Sequence, residues 1–272
     1  MSPLRYWRPD PSDPIQALAA CYAAFVLAQA AHPDVEAGID PDLVWTITGI
    51  PIAGFNRVMG ARLAAETVDD RVVELLDLYR RRGSSVSWWL DPETEPADLA
   101  ARLGRHGLMA DPVETPAMAL DLADAPAFVP EGIDVRLVED ADGMRTANAV
   151  AAAGFGSPEG LADAIVERLL PVGLSDAGPL RIVVASLDGR PVGTAFAFVA
   201  GEVAAVYNVA TAPDARGRGV GGAVTVAVCR AAAERGARVA VLESSPMGHS
   251  LYRRLGFRDV GAFRILHRST WD

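Results

Sequence analysis

The 272-residue chain is half hydrophobic and 22% charged, with 25 Lys and Arg against 35 Asp and Glu, for a formal charge of −10. That balance can fill one large core or two ordinary ones. It excludes a broad electrostatic grip on nucleic acid, which needs clustered positive charge, so no nucleic-acid partner is expected. Cys21 and Cys229 stand far apart in apolar stretches without metal-ligand spacing, so they read as small buried hydrophobes in a reducing, cytoplasmic setting.

In chain order, Ile15 to Ala31 is the first apolar run. Asp10 and Asp13 offset Arg5 and Arg8 ahead of it, which denies it the positive flank of a signal peptide, and it is too short and interrupted for a membrane span. Ile15, Leu18, Tyr22, Phe25 and Val26 fall on one face of an amphipathic helix, with Asp13 placed to cap it and Pro14 at its first position. Thr48 to Pro51 reads as a turn closing a strand, and Arg80-Arg81-Arg82-Gly83 as a helix C-terminus, where cations suit the dipole. Ser85 to Leu90 is a strand, Pro96 to Arg105 a helix, and Gly107-Leu108 follows. Trp45, Trp88 and Trp89 read as core. Leu122 to Gly132 holds two prolines and a glycine without periodicity, which suits a linker and splits the chain into 1–127 and 128–272.

The second part alternates strands and helices. Ile133 to Val138 is a strand, with helices over Ala141–Ala153 and Pro158–Leu170. Leu180–Leu187 and Pro191–Val199 make a hairpin about Asp188-Gly189. Val203 to Thr211 is a strand, Gly219 to Arg235 a helix ended by Gly236, Ala237 to Glu243 a strand, Met247 to Leu255 a short helix, and Gly261 to Arg268 a last strand. The order strand, helix, Gly-Leu in the first part mirrors strand, helix, Gly256-Phe257 in the second. A diverged internal repeat explains this, although any strand–helix–glycine unit would look alike.

The chemistry concentrates at Arg216-Gly217-Arg218-Gly219-Val220-Gly221-Gly222, between a strand and a helix start. Glycines let a ligand approach the backbone, free amides at a helix start attract phosphate oxygens, and Arg216 and Arg218 can add charge-assisted bonds to a pyrophosphate. Gly217-x-Gly219-x-x-Gly222, with Glu243 downstream, also fits a dinucleotide fingerprint formally. Against that, Pro213 to Arg216 separate strand from glycine, and too little chain follows Glu243 to complete such a sheet. No Asp, Glu, His and Cys cluster has metal-ligand spacing, so no metal is expected.

Val209-Ala-Thr-Ala-Pro-Asp-Ala-Arg-Gly-Arg-Gly-Val-Gly221 resembles the signature segment of the GNAT superfamily, the acyl-CoA-dependent N-acetyltransferases. Its Arg/Gln-x-x-Gly-x-Gly/Ala core is met by Arg216, Gly219 and Gly221. Leu251-Tyr-Arg-Arg-Leu-Gly-Phe257 resembles the same family's Leu-Tyr-x-x-x-Gly-Phe element. The resemblance covers roughly residues 131 to 268. It implies a mixed α/β (α+β-like) fold of two GNAT-like domains. Each would be a mostly antiparallel mixed sheet flanked by helices, and the C-terminal one would hold acyl-CoA between splayed strands. The amides of Gly217, Arg218, Gly219, Val220, Gly221 and Gly222 would hold the CoA pyrophosphate with Arg216, and the pantetheine arm would pair with Val209 and Thr211. Tyr252 would be the general acid toward the leaving thiolate. Family members often carry asparagine where this chain has Ser245, so Ser245 is a further CoA contact in prospect. Glu243 is the candidate base for the amine, with His249 as a second choice, and Tyr207 or Asn208, alternating along one strand, would face the acceptor. Leu103 takes the place of Tyr252 in the first half, where no Arg-x-x-Gly-x-Gly loop exists, and Phe55 to Gly60 is its nearest counterpart. Residues 1–127 therefore read as a degenerate, non-catalytic domain that walls the acceptor cleft or replaces a dimer partner.

The expected activity is acetyl transfer from acetyl-CoA to a small-molecule or peptide amine, by a monomer or homodimer. A non-catalytic acyl-CoA sensor is the alternative. Neither a membrane nor a metal is expected to take part.

Overall fold

The computed structural model describes residues 7–126, 130–174 and 178–271; the boundary at 127/128 lies outside the described residues. The chain opens on α1 (Pro14–Gln29), where Asp13 accepts a hydrogen bond from the Gln16 amide and Pro14 starts the helix. Strands β1 (Glu36–Ile39), β2 (Val44–Ile47), β3 (Arg57–Met59) and β4 (Val86–Leu90) follow, with α2 (Val68–Arg81) between the last two. After β4 come α3 (Leu99–Arg105), the short β5 (Met109–Ala110) and β6 (Thr115–Asp121). The second part contains β7 (Ile133–Leu137), α4 (Ala141–Phe155), α5 (Leu161–Leu169), β8 (Leu180–Leu187), β9 (Arg190–Ala200), β10 (Val203–Thr211), α6 (Val220–Ala233), β11 (Val239–Glu243), α7 (His249–Arg254) and β12 (Arg258–Arg268).

Among the described residues the strands form one open sheet, ordered β1-β2-β3-β4-β12-β6-β11-β10-β9-β8-β7, with β5 beside β12. It is mixed but mostly antiparallel: β3–β4 and β10–β11 are its parallel pairs. Asp188 (φ 50°) and Gly189 (φ 77°) close the β8–β9 hairpin as a two-residue turn with both residues left-handed, the geometry that matches strand twist.

Both halves repeat one order of pairings. In the first, β3 is antiparallel to β2 and parallel to β4; in the second, β10 is antiparallel to β9 and parallel to β11. The strand that finishes each pattern comes from the other half. β6, from the first part, pairs with β11, while β12, from the second, pairs with β4 through Arg264 to Arg268. β6 and β12 also pair with each other, so the two half-sheets fuse across exchanged strands.

Helices α1, α4 and α5 cover one face, where Phe25 joins Met144, Val166, Leu169 and Phe196 in one apolar cluster. On the opposite face α6 and α7 bury Val224, Val228, Tyr252 and Phe257, and α2 and α3 bury Leu75, Tyr79, Leu99 and Leu103 against Trp88. The amphipathic reading of α1 does not hold. Ala17 to Ala23 are all buried, because the helix packs against β9, β10 and β11 and also reaches β1, β2, β6 and β12. A helix buried over most of its surface is apolar over most of it, and the stripe of Gln16, Ala24, Leu27 and Ala28 is what solvent reaches. Cys21 and Cys229 are buried and unpaired by disulfide. No helix among the described residues is long and apolar enough to cross a membrane.

Candidate active site

Strands β10 and β11 pair only at Val203–Ala205 with Val239–Val241. Beyond that point β11 follows β6, Leu242 opposite Met118 and Glu243 opposite Ala117, while β10 follows β9. The two strands diverge, and the edge of β10 from Val206 onward has no strand partner on that side among the described residues. The matching pair in the first half stays shut. Past Met59, the Glu95 amide donates to Ala61 O (3.1 Å), the Leu63 amide donates to Glu95 O (3.0 Å), and Arg62 pairs with Asp91 (3.1 Å) and Glu93 (2.9 Å).

A groove of about 960 Å³ fills the divergence on the α6–α7 face. Val209, Thr211, Arg216, Gly217, Gly219, Val220, Gly221, Gly222, Ser245 and Tyr252 all line it; Arg218 is exposed and outside the lining. Gly217 (φ 74°) and Gly219 (φ 86°) are left-handed, and a Cβ on Gly219 would lie 2.9 Å from Pro130 Cγ, so the loop needs glycine there for both reasons. Gly219 caps α6 without any side-chain bond, which leaves the first-turn amides without an intrahelical partner at the groove. Arg216 is already engaged: its Nη2 donates to Gly154 O of α4 at 2.7 Å. Ser245 Oγ accepts from the Gly248 amide at 3.2 Å, shaping the turn into α7 as well as facing the groove.

Tyr252 is 7% exposed and meets Phe257 edge-on, ring centroids 5.7 Å apart. Burial pushes its phenol up to about 12, so the hydroxyl keeps its proton throughout the neutral range. His249, one turn before it, pairs with Asp259 at 2.7 Å in an exposed position.

Glu243 stands elsewhere. Its side chain, 9% exposed, lies 3.5 Å from Arg57 Nη1, on the α1 face of the sheet. There it adds to the effect of burial in raising the Tyr207 and Tyr22 phenols. A second cavity, about 260 Å³, opens on this face between the halves. Tyr22, Phe25, Phe55, Arg57, Arg168, Phe196, Tyr207 and Asn208 are among its walls. Tyr207 and Asn208 both face it, against the simple alternation expected of a strand. Asn208 (φ 51°) is the extra residue of a bulge, since Tyr207 pairs with Phe196 but Ala210 pairs with Thr194. The next residue, Val209, faces the groove, so this one bulge borders both spaces.

Arg57 and Arg168 are residues that motif reading passes over. Arg57 follows Asn56, whose buried amide accepts from the Thr48 amide (2.8 Å) and Thr48 Oγ1 (3.0 Å) and donates to Ile50 O (2.8 Å), fixing the 48–56 loop over the cavity. Arg168 is buried on an otherwise apolar helix face with Ile165 and Leu169, and that odd charge is the signal the sequence carried. Among the described residues, no group of three His, Cys, Asp or Glu is placed to hold a metal ion.

Residues 178–259 match the sequence model of the Acetyltransferase (GNAT) domain. No curated protein matches the chain in sequence. Solved structures do match its fold. A GCN5-related N-acetyltransferase from Kribbella flavida shares 23% identity over 90% of this chain and 94% of its own, with a TM-score of 0.69. A GCN5-related N-acetyltransferase from Sphaerobacter thermophilus gives 18% identity over 96% and 94%, with a TM-score of 0.60. A tandem GNAT protein from the clavulanic acid biosynthesis pathway gives 15% over 85% and 79%, with a TM-score of 0.56. At these identities the structures speak for the fold, and the domain match speaks for residues 178–259, which hold the diverging strands and the glycine loop. The match places a GNAT domain at residues 178–259.

Proposed function

We propose that the protein transfers an acetyl group from acetyl-CoA to an amine, the acceptor entering from the cavity between the halves. The observation that carries this reading is the groove itself. Glycines at positive φ, uncapped α6 amides, an unpaired β10 edge and a protonated phenol converge on one space. The residues present fit CoA. The amides of Gly217 to Gly222 would hold its pyrophosphate, with Arg216 adding charge from its seat on Gly154, and the backbone of Val209 and Thr211 would pair with the pantetheine arm. Arg218, exposed beside the loop, would add a long-range charge. Ser245 would contact CoA at the groove wall.

Bound acetyl-CoA supplies the acetyl group as a thioester. An amide near Val209 would polarise its carbonyl, and Tyr252 would hold a proton at its hydroxyl for the sulfur. Glu243, paired with Arg57 behind the cavity wall, would take the proton from the amine, directly or through water, so that the amine attacks without a covalent enzyme intermediate.

We read residues 1–127 as a degenerate GNAT-like domain and 128–272 as the catalytic one, with β6 and β12 exchanged between them. The closed β3–β4 pair, the lack of a glycine loop before α2 and the buried Leu103 at the place of Tyr252 support a first half that neither binds CoA nor catalyses. Its loop over the cavity supports a role as the acceptor's wall.

Thermal unfolding with acetyl-CoA, and with NADH as control, tests the reading. A ligand at 100 times its dissociation constant adds about 2.7 kcal/mol to the folded state. A midpoint raised by acetyl-CoA alone is expected. No shift would sink the cofactor assignment, and binding without turnover over a broad amine panel would favour the sensor.

A further inference from the structure

We propose that the cavity between the halves takes a small aromatic amine that also carries a carboxylate, the chemical class of an aromatic α-amino acid. As an acceptor assignment this rests on the acetyl-transfer reading; as a binding assignment it does not.

Size comes first. A cavity of roughly 150 Å³ holds a benzene ring, and this one, at about 260 Å³, has room for a ring with a few further heavy atoms. The 48–56 loop of the first half, locked by Asn56, walls it from one side, which disfavours an extended peptide or a protein surface. The walls are aromatic. Phe25 stacks near Tyr207 with centroids 5.7 Å apart, Phe196 lies 5.2 Å from Tyr207, and Phe25 lies 6.0 Å from Phe196. Such a box favours a planar apolar body.

Charge comes second. The charged side chains that line the cavity are both arginines. Arg168 has acceptors on several sides: Thr48 O (2.9 Å), Ala164 O (3.1 Å), Glu167 (3.1 Å) and Asp34 (3.3 Å). Arg57 has few. Its guanidinium carries five N–H donors, against one hydrogen bond to Gly54 O (2.8 Å) and the 3.5 Å pair with Glu243. Its Nη1 is buried and turned toward Glu243, so the donors left for a ligand are those of Nη2, and the guanidinium lies over the Trp89 ring at 4.1 Å, which fixes its plane. A planar donor group with spare donors, on the wall of an aromatic cavity, suits a carboxylate. The Asn208–Val209 bulge borders the thioester side, where the amine would lie. The protein's net charge of −10 is no guide here, since the charged side chains on the cavity wall are arginines and an aromatic box offers little to a flexible polyamine.

Calorimetry on the full chain tests this with L-phenylalanine, 2-phenylethylamine, 3-phenylpropionate and spermidine, on wild type and on Arg57→Met, which keeps an apolar stem over Trp89. Phenylalanine is expected to bind roughly 10- to 100-fold more tightly than phenylethylamine, the span of one charge-assisted contact. Phenylpropionate should bind, spermidine should not, and Arg57→Met should erase the carboxylate preference. Equal binding of phenylethylamine, or a preference intact in Arg57→Met, overturns the proposal. If Arg57→Met does not fold, phenylpropionate decides on wild type alone, and its failure to bind or to compete with phenylalanine overturns the proposal. CoA is titrated separately. CoA binding without any aromatic carboxylate would sink this assignment and spare acetyl transfer; the reverse would sink transfer and spare the cavity assignment.

Discussion

Replacing Tyr252 by phenylalanine removes one oxygen and leaves the packing in place. The ring sits 5.7 Å from Phe257, edge-on and 7% exposed, and phenylalanine can keep that contact, so folding stability should change by no more than about 0.5 kcal/mol. The missing hydroxyl matters only at the sulfur. A positioned general acid contributes roughly 10²- to 10⁴-fold, so kcat should fall by about that factor while CoA affinity stays put. Thiol release followed with a chromogenic disulfide gives kcat, and titration calorimetry gives the CoA dissociation constant. The pH profile adds an independent readout. Because burial raises the phenol to about 12, wild type should show no alkaline loss from this group below about pH 10. A variant within threefold of wild-type kcat would refute the acid role. A variant that also loses CoA would mean the hydroxyl holds the cofactor rather than the proton.

Gly219→Val places a side chain at φ 86° and a Cβ 2.9 Å from Pro130 Cγ, so a stability loss of about 2 kcal/mol and at least a tenfold weaker grip on CoA should appear in melting and calorimetry. Asn56→Ala orphans the Thr48 amide and Ile50 carbonyl in a buried loop; a loss of about 2–4 kcal/mol in urea unfolding is expected, with acceptor KM raised more than that for CoA. Cys21 and Cys229, raised by burial from 9.0 to about 12, and Tyr252, raised from 10.0 to about 12, hold their protons more tightly folded than unfolded. Unfolding therefore releases protons above about pH 9, and stability should be level at neutral pH and fall steadily from pH 9 to 12, as urea midpoints would record.

The second half was legible because its function is local. A glycine loop needs glycines at fixed spacing, and Leu251 to Phe257 sits on one short helix and its exit, so both motifs survive in one dimension. Strand pairing does not survive that way. The apolar run of β6 shows that it is buried, but nothing in Pro116 to Leu120 says that its neighbours are β11 and β12. The same limit hid the acceptor cavity, whose wall joins Arg57, Arg168 and Tyr207 from segments more than a hundred residues apart at the extremes. Alternation failed at Asn208 because one inserted residue resets the period, and amphipathicity failed in α1 because little of its surface meets water.

The exchanged strands also set a timetable for synthesis. β4 meets β12 on the side away from β3, and β12 is the latest strand in the sequence. As the chain emerges from the ribosome, the first half has its helices and the four strands β1 to β4 in hand, yet its sheet stays incomplete until residues 258–268 have appeared. Domains usually finish folding from the N-terminus onward. Here the order is broken: the earliest part must wait for the last, its apolar strand edge exposed meanwhile, and both halves close in one late, long-range step.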